Sequence, residues 1–205
     1  MTTLNHGHQQ MDDDNLMALV REGNHTAFAE LVNRHTQQFF ALAQRMVQDV
    51  GDAEDIVQNS FIKLWQRPAS WNSEKSQFST WFYRVILNAC HDHQRKHKRW
   101  VKLDQPVLEA SMKPVASEQV LLEQQQSESL QQHYLETAIA GLPSSQRDAL
   151  NLVVYSALPQ KQAAEIMGVS LKAIESLLVR AKRGLAKQVA EAKLADALPK
   201  TAELD

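Results

Sequence analysis

Apolar side chains recur every three or four residues through most of this chain, and no stretch alternates apolar and polar positions long enough to make a half-buried strand. The pattern predicts an all-α protein. A first helix starts near Asp13 or Asp14, whose carboxylates suit a helix N-terminus, and stops at Gly23. Phe28, Leu31, Val32, Phe39, Leu42, Ala43 and Met46 define a longer second helix, expected to end at Gly51, with Asp52 capping a third. That third helix, Ala53 to Gln66, sets Ile56, Val57, Phe61, Leu64 and Trp65 on one stripe and stops before Pro68. A loop through Trp71, Asn72, Ser73 and Ser76 leads to a fourth helix opening near Ser79, with Trp81, Phe82, Val85, Ile86 and Ala89 on its apolar side.

The periodicity lapses over 103–117, where Pro106 and Pro114 interrupt any helix, and this stretch reads as a linker that can extend to about 130. Residues Glu118 to Gln132 are Gln-rich but keep Val120, Leu121 and Leu130 at helical spacing, so a helix is expected there, ended by Gly141 and Pro143. Ser144 is expected to cap the next helix, which carries Ala149, Leu150, Leu152 and Val153. The organisation that follows is a disordered N-terminus over 1–11, a helical domain over 12–102, the linker, a second helical domain over 131–192 and a tail over 193–205.

Residues Pro159 to Arg183 have the spacing of a helix-turn-helix. Two short helices crossing steeply need small residues at the crossing, a glycine in the turn and apolar anchors on the second helix. Ala163 and Ala164 supply the first, Gly168 the second, with Val169 tucked in after it, and Ile174 and Leu177 the third; Ser170 caps the second helix. With Ile174, Leu177, Leu178 and Ala181 turned inward, Lys172, Ala173, Glu175 and Ser176 face outward at the N-terminal end, where base edges are read. Arg180 and Arg183 follow at positions suited to phosphate contacts.

Composition adds one constraint and charge a second. In 205 residues there is a single cysteine, Cys90, which excludes an internal disulfide framework and suits a reducing compartment, so a cytoplasmic protein is expected. The N-terminal residues lack a basic stretch followed by an apolar run, and no apolar run is long enough to span a bilayer, so neither export nor membrane insertion is expected. The net charge is only −2, but its distribution is uneven. Residues 1–60 are acidic, whereas Arg95, Lys96, Lys98, Arg99 and Lys102 form one basic cluster and Lys172, Arg180, Lys182, Arg183 and Lys187 another. Two basic patches beside an acidic face point to two DNA contacts and a separate partner that is not nucleic acid.

These features meet in a family resemblance. The segment Gly51-Asp-Ala-Glu-Asp-Ile-Val-Gln-Asn-Ser-Phe-Ile-Lys-Leu-Trp65, followed by Phe78-Ser-Thr-Trp-Phe-Tyr-Arg-Val-Ile-Leu-Asn-Ala-Cys-His-Asp92 and its basic tail, resembles region 2 of bacterial extracytoplasmic-function sigma factors. Leu142-Pro-Ser-Ser-Gln-Arg147 and the helix-turn-helix through Ala181 are similar to region 4. The resemblance implies a subunit that gives core RNA polymerase its promoter preference, region 2 docking on the polymerase clamp and gripping the −10 element while region 4 reads the −35 element. It further implies an anti-sigma partner, often membrane-anchored, and neither a small-molecule substrate nor a cofactor.

Under that resemblance Asp52, Asp55, Gln58, Asn59 and Ile62 are the candidate polymerase-binding residues, an acidic line with one apolar member opposite the Trp65 stripe. Capturing unstacked bases calls for aromatic surface, polar readers and cationic backbone grips together. Trp71, Phe78 and Trp81 are the candidate aromatics, Asn88 and Asp92 the polar contacts and Arg95, Lys96, Lys98 and Arg99 the grips, although Trp81 and Phe82 suit a core equally well. The recognition helix departs from many family members in carrying Glu175 and Leu177, which leaves the promoter sequence open.

Two other readings compete. Cys90, His93 and His97 fall at i, i+3 and i+7 on one helix face, a spacing compatible with a metal or redox site, but the histidines sit within the basic tail and fit protonatable DNA contacts better. A helix-turn-helix regulator that is no polymerase subunit would share the C-terminal motif, yet the front half shows neither a strand-helix alternation nor a receiver aspartate. An enzyme on a helical bundle would want Glu-x-x-His pairs within its helices or a nucleophile with a matched base; the single Glu-x-x-His, Glu22 to His25, spans the helix stop at Gly23, so no catalytic residues are expected.

Overall fold

The computed structural model describes residues 11–103, 135 and 137–197, with side chains described only to residue 97 in the fourth helix and to residue 191 in the last. Every regular element among the described residues is helical. In chain order these are α1 (Asp13–Arg21), α2 (His25–Val47), α3 (Val50–Gln66), a 3-10 turn at Pro68–Ser70, α4 (Phe78–Leu103), α5 (Ser144–Leu150), a π-helical turn at Asn151–Tyr155, α6 (Gln160–Met167) and α7 (Leu171–Ala197). The expected linker at 103–117 and the Gln-rich helix over 118–132 lie outside the described residues, as do the terminal segments 1–10 and 198–205.

Local chemistry explains most boundaries. Asp12 caps α1 by accepting from the Asn15 N–H at 2.8 Å, and Gly23, at φ +82°, closes it while Asn24 N–H bonds back to the Leu19 carbonyl at 3.0 Å. Asn24 then caps α2, accepting from the Thr26 and Ala27 N–H groups at 3.0 Å each. The expected end of α2 at Gly51 is corrected: the helix stops at Val47, Gln48 takes the left-handed conformation at φ 61°, and Gly51 lies inside α3. Asp49, rather than Asp52, is the cap of α3, accepting from Asp52 N–H at 2.8 Å. Likewise Ser144 is the first residue of α5 rather than its cap, since the Pro143 carbonyl accepts from Gln146 and Arg147.

The described residues fall into two compact units, one made of those up to 103 together with Asn151–Leu171, the other of 135–150 with 172–197. In the first, α2 is the axis, packed by α1, α3 and α4. Phe39, fully buried at its centre, meets Phe82 at 4.8 Å and Tyr83 edge-on at 4.9 Å between ring centroids, with Phe61 and His35 completing the shell. Leu16, Leu31, Leu42, Leu64 and Ile86 fill the space around these rings. A half-buried polar staple ties α1 to α2: His35 Nε2 lies 2.8 Å from Asp13 Oδ2, while Arg34 donates to the other carboxylate oxygen at 2.7 Å. Burial alone pushes the Asp13 pKa up, but the hydrogen bonds and charges of His35 and Arg34 together outweigh it and leave the carboxyl below its ordinary value.

Among the described residues the second unit has a core cluster of its own. Leu142, Leu150 and Ala181 are its buried centre, with Ile139 and Leu185 packed alongside. Gly184 permits the approach of Leu142, whose Cδ2 would stand 3.1 Å from an added Cβ.

Candidate nucleic-acid interface

On α4, helical spacing places Trp81, Arg84, Asn88, Asp92 and Arg95 along one stripe. Arg84, Asn88, Asp92 and Arg95 are exposed and Trp81 is half-buried, leaning on Phe78 and Phe82 at 6.2 and 5.8 Å. Arg95 donates to the Asp92 carboxylate, so the stripe carries an internal ion pair. Lys96 and His97 are exposed beyond it. Lys98 and Arg99 continue the helix, but their side chains lie outside the described residues.

Two sequence-derived candidates are corrected here. Trp71 and Phe78 are 2% and 1% exposed, so neither offers a face on which a base could stack. Trp71 instead pins the loop before α4: its indole donates to the Ser76 carbonyl at 3.1 Å, Arg21 donates to its backbone carbonyl at 2.6 Å, and the Arg21 guanidinium lies 5.6 Å from its ring centroid. Phe78 closes the aromatic core against Trp71, Phe82 and His35. Composition marked these rings as available; burial shows what holds them.

On α3, Asp55, Gln58, Asn59 and Ile62 are all exposed on one face, Ile62 at 45%. The buried face of the same helix carries Ile56, Val57, Phe61 and Leu64. Asp52 stands apart from this line. It is half-buried and its Oδ1 lies 3.3 Å from His93 Nε2, a link from α3 to α4 that sequence spacing could not reveal. His93 is thereby turned towards a carboxylate. Cys90 is fully buried, and no group of three or more His, Cys, Asp or Glu among the described residues is arranged to hold a metal ion.

In the helix-turn-helix segment, Gly168 at φ +65° ends α6, its N–H bonding to the Glu165 carbonyl at 3.2 Å and the Val169 N–H to the Ala164 carbonyl at 3.0 Å. Val169, expected to tuck inward, is 39% exposed: its backbone closes the turn while its side chain stays in solvent. Ala163 and Ala164 are buried on α6, as are Ile174, Leu178 and Ala181 on α7; Leu177 is only half-buried. Lys172, Glu175, Ser176, Arg180 and Arg183 are exposed and Ala173 is half-buried, so the outward set stands on the expected face. Arg180 folds back one turn, donating to Ser176 Oγ at 2.9 Å and to its carbonyl at 3.3 Å, which positions the guanidinium beside a hydroxyl also expected to face DNA.

Comparison with known proteins decides the family. Residues 31–100 match the family model of sigma-70 region 2 and residues 132–185 that of sigma-70 region 4, together more than half of the chain. The chain belongs to the extracytoplasmic-function sigma factors of the sigma-70 family. It is 29% identical over 189 residues to the ECF RNA polymerase sigma-E factor of Escherichia coli K12, spanning 88% of this chain and 96% of the relative. With the ECF RNA polymerase sigma factor SigW of Bacillus subtilis the identity is 27% over 179 residues, 83% of this chain and 92% of that one. Among solved structures, CnrH, solved in complex with the cytosolic domain of CnrY, superposes with a TM-score of 0.64 at 22% identity, covering 87% of this sigma factor and 97% of that chain. The sigma factor RpoE of Bartonella quintana, solved with the anti-sigma factor NepR, gives 0.59 at 22% identity, over 80% and 96%. These two structures share its fold. This sigma factor therefore directs transcription initiation, and the region 2 match disfavours a helix-turn-helix regulator that is no polymerase subunit.

Proposed function

We propose that this sigma factor binds core RNA polymerase through Asp55, Gln58, Asn59 and Ile62, with Asp52 at the edge of that surface, and recognises a promoter at two separated elements. The observation that carries the reading is the coexistence, within region 2, of an acidic exposed face on α3 and a polar and cationic stripe on α4. The first suits a basic protein groove; the second suits an unpaired strand, with Trp81 as its aromatic edge, Asn88 and Asp92 as polar readers and Arg95, Lys96, Lys98 and Arg99 along the backbone.

Region 4 reads the −35 duplex through Lys172, Ala173, Glu175 and Ser176, while Arg180 and Arg183 hold phosphates. Glu175 accepts from a cytosine amine, or repels phosphates and so sharpens specificity by weakening binding where no such amine is met. The working domains are 12–102 and 131–192, joined by the linker that starts at 103–117 and extends to about 130. The protein acts in the cytoplasm without catalysing a reaction itself, and among the described residues no helix is long and apolar enough to cross a membrane. CnrH, solved in complex with the cytosolic domain of CnrY, and RpoE, solved with the anti-sigma factor NepR, support an anti-sigma partner for this chain. Runoff transcription with core RNA polymerase tests the whole reading: initiation from a defined start site is expected, and failure to bind core or to initiate at any genomic promoter overturns it.

A further inference from the structure

The loop that leads into α4 has no glycine, proline or positive φ over residues 71–77 to fix its shape, so contacts have to hold it. Asn72 supplies local ones: its side chain accepts from Glu74 N–H at 2.8 Å and its carbonyl from Lys75 N–H at 3.1 Å. An anchor from another element is Arg21, the last residue of α1. Its guanidinium donates to the Trp71 carbonyl at 2.6 Å and lies 5.6 Å from the Trp71 ring centroid, so one side chain grips Trp71 by its backbone and by its ring.

From Trp71 the constraint passes along two routes. The indole donates to the Ser76 carbonyl at 3.1 Å, which fixes the chain one residue before Gln77, whose carbonyl accepts the Trp81 N–H at 3.1 Å as α4 opens. The Trp71 ring also meets Phe78 edge-on at 5.9 Å, and Phe78 in turn lies 6.2 Å from Trp81. Trp81 is thus reached from Arg21 through its own backbone bond and through a row of rings. We propose that Arg21 is a positioning residue for promoter opening, setting Trp81 at the head of the α4 stripe through Trp71 and Phe78. The inference rests on the −10 reading given above, in which Trp81 is the aromatic edge that meets the unpaired strand.

Arginine fits this role where lysine does not. A planar guanidinium stacks on an indole while it donates to a carbonyl, whereas an ammonium is a point charge on a flexible stem. A cation in the last turn of α1 also suits the negative end of that helix, which favours Arg21 where it stands. Of the two rings on which the half-buried Trp81 leans, Phe82 is fully enclosed by the core, whereas Phe78 is the one that meets the loop. Bracing Phe78 from Trp71 therefore decides where Trp81 comes to rest, and a displacement of about 1 Å is enough to cost a positioned group most of its effect.

The test uses holoenzyme assembled from core RNA polymerase and the full chain, as wild type, Arg21→Ala, Trp81→Ala and the double variant. Initiation from a duplex promoter should fall about tenfold in Arg21→Ala with core binding unchanged, and the double variant should be no worse than Trp81→Ala, since the first residue acts through the second. On a template already unpaired over the −10 element the Arg21→Ala defect should shrink to within about twofold, a recovery that a merely destabilised region 2 would not show. Wild-type initiation by Arg21→Ala, losses that multiply in the double variant, or an equal defect on the unpaired template overturns the role. Should Arg21→Ala lose helical content or core binding, Arg21→Lys carries the same comparisons, with an expected loss of about threefold. Wild-type initiation by Trp81→Ala defeats the −10 assignment of Trp81 and this role with it, whereas an impaired Trp81→Ala beside a normal Arg21→Ala defeats only the role of Arg21.

Discussion

The two regions of this sigma factor solve the same problem of presenting a helix face with very different cores. Region 2 sets its α3 and α4 surfaces on a cluster of interlocked rings around Phe39, backed by the half-buried His35–Asp13 staple. Among the described residues, the unit that carries α7 has an aliphatic core instead, Leu142, Leu150 and Ala181 with Ile139 and Leu185 alongside, and Ala149, Ile174 and Leu178 also buried. A surface that captures unpaired bases needs a backing that does not yield, since a misplaced reader loses the energy required to hold the strand open. A reader of duplex DNA needs only one well-placed helix, and it gains affinity from being tethered to a partner already bound. The contrast therefore predicts that damage to region 2 is global and damage to region 4 is local.

The largest expected effect is that of Phe39→Ala, which removes the central ring at a cost of about 3–5 kcal/mol and should collapse the aromatic core. Urea unfolding should show it, and loss of both core binding and initiation should follow; a stable variant would break the contrast. Next, Ile62→Glu combined with Asp55→Lys should weaken core RNA polymerase binding by about tenfold or more with the melting curve unchanged, because both side chains are exposed. Gly168→Ala has open space for its Cβ but retains φ +65°, so a cost of about 1 kcal/mol confined to the helix-turn-helix is expected, seen as weaker −35 binding with intact core binding.

Arg180→Ala should weaken duplex binding a few-fold across all sequences and lower the salt slope by about one, while Glu175→Ala changes which bases are preferred. The smallest effect concerns pH. The Asp13 carboxyl is held below its ordinary value of 3.8, so the staple is fully present above that value and is lost as pH falls through the depressed one. Urea midpoints measured from pH 6 down to pH 3 should fall more steeply for the wild type than for Asp13→Asn, and the difference should be reported by region 2 alone.

Periodicity was enough to find the helices because their apolar stripes are long and their stops are chemical. Gly23 and Gly168 end their helices at positive φ, which the absence of a Cβ permits, so both termini are legible residue by residue. The outward faces of α3 and α7 were legible for the same reason, since helical spacing assigns a side chain to the core or away from it once the apolar stripe is known. The end of α2 escaped because Gln48 adopts a left-handed conformation that its side chain does not announce.

What the sequence by itself determined is the helical class, the family and the lines of residues available to polymerase and DNA. Only the tertiary structure decided which of them remain free. Trp71 and Phe78 look like base-stacking rings in one dimension and are spent on the core and the loop in three. Asp52 meets His93, and Arg84 meets the end of α6, across separations of dozens of residues. Spacing along a helix reports direction, whereas burial and pairing depend on what another helix brings opposite, and that is a property of packing.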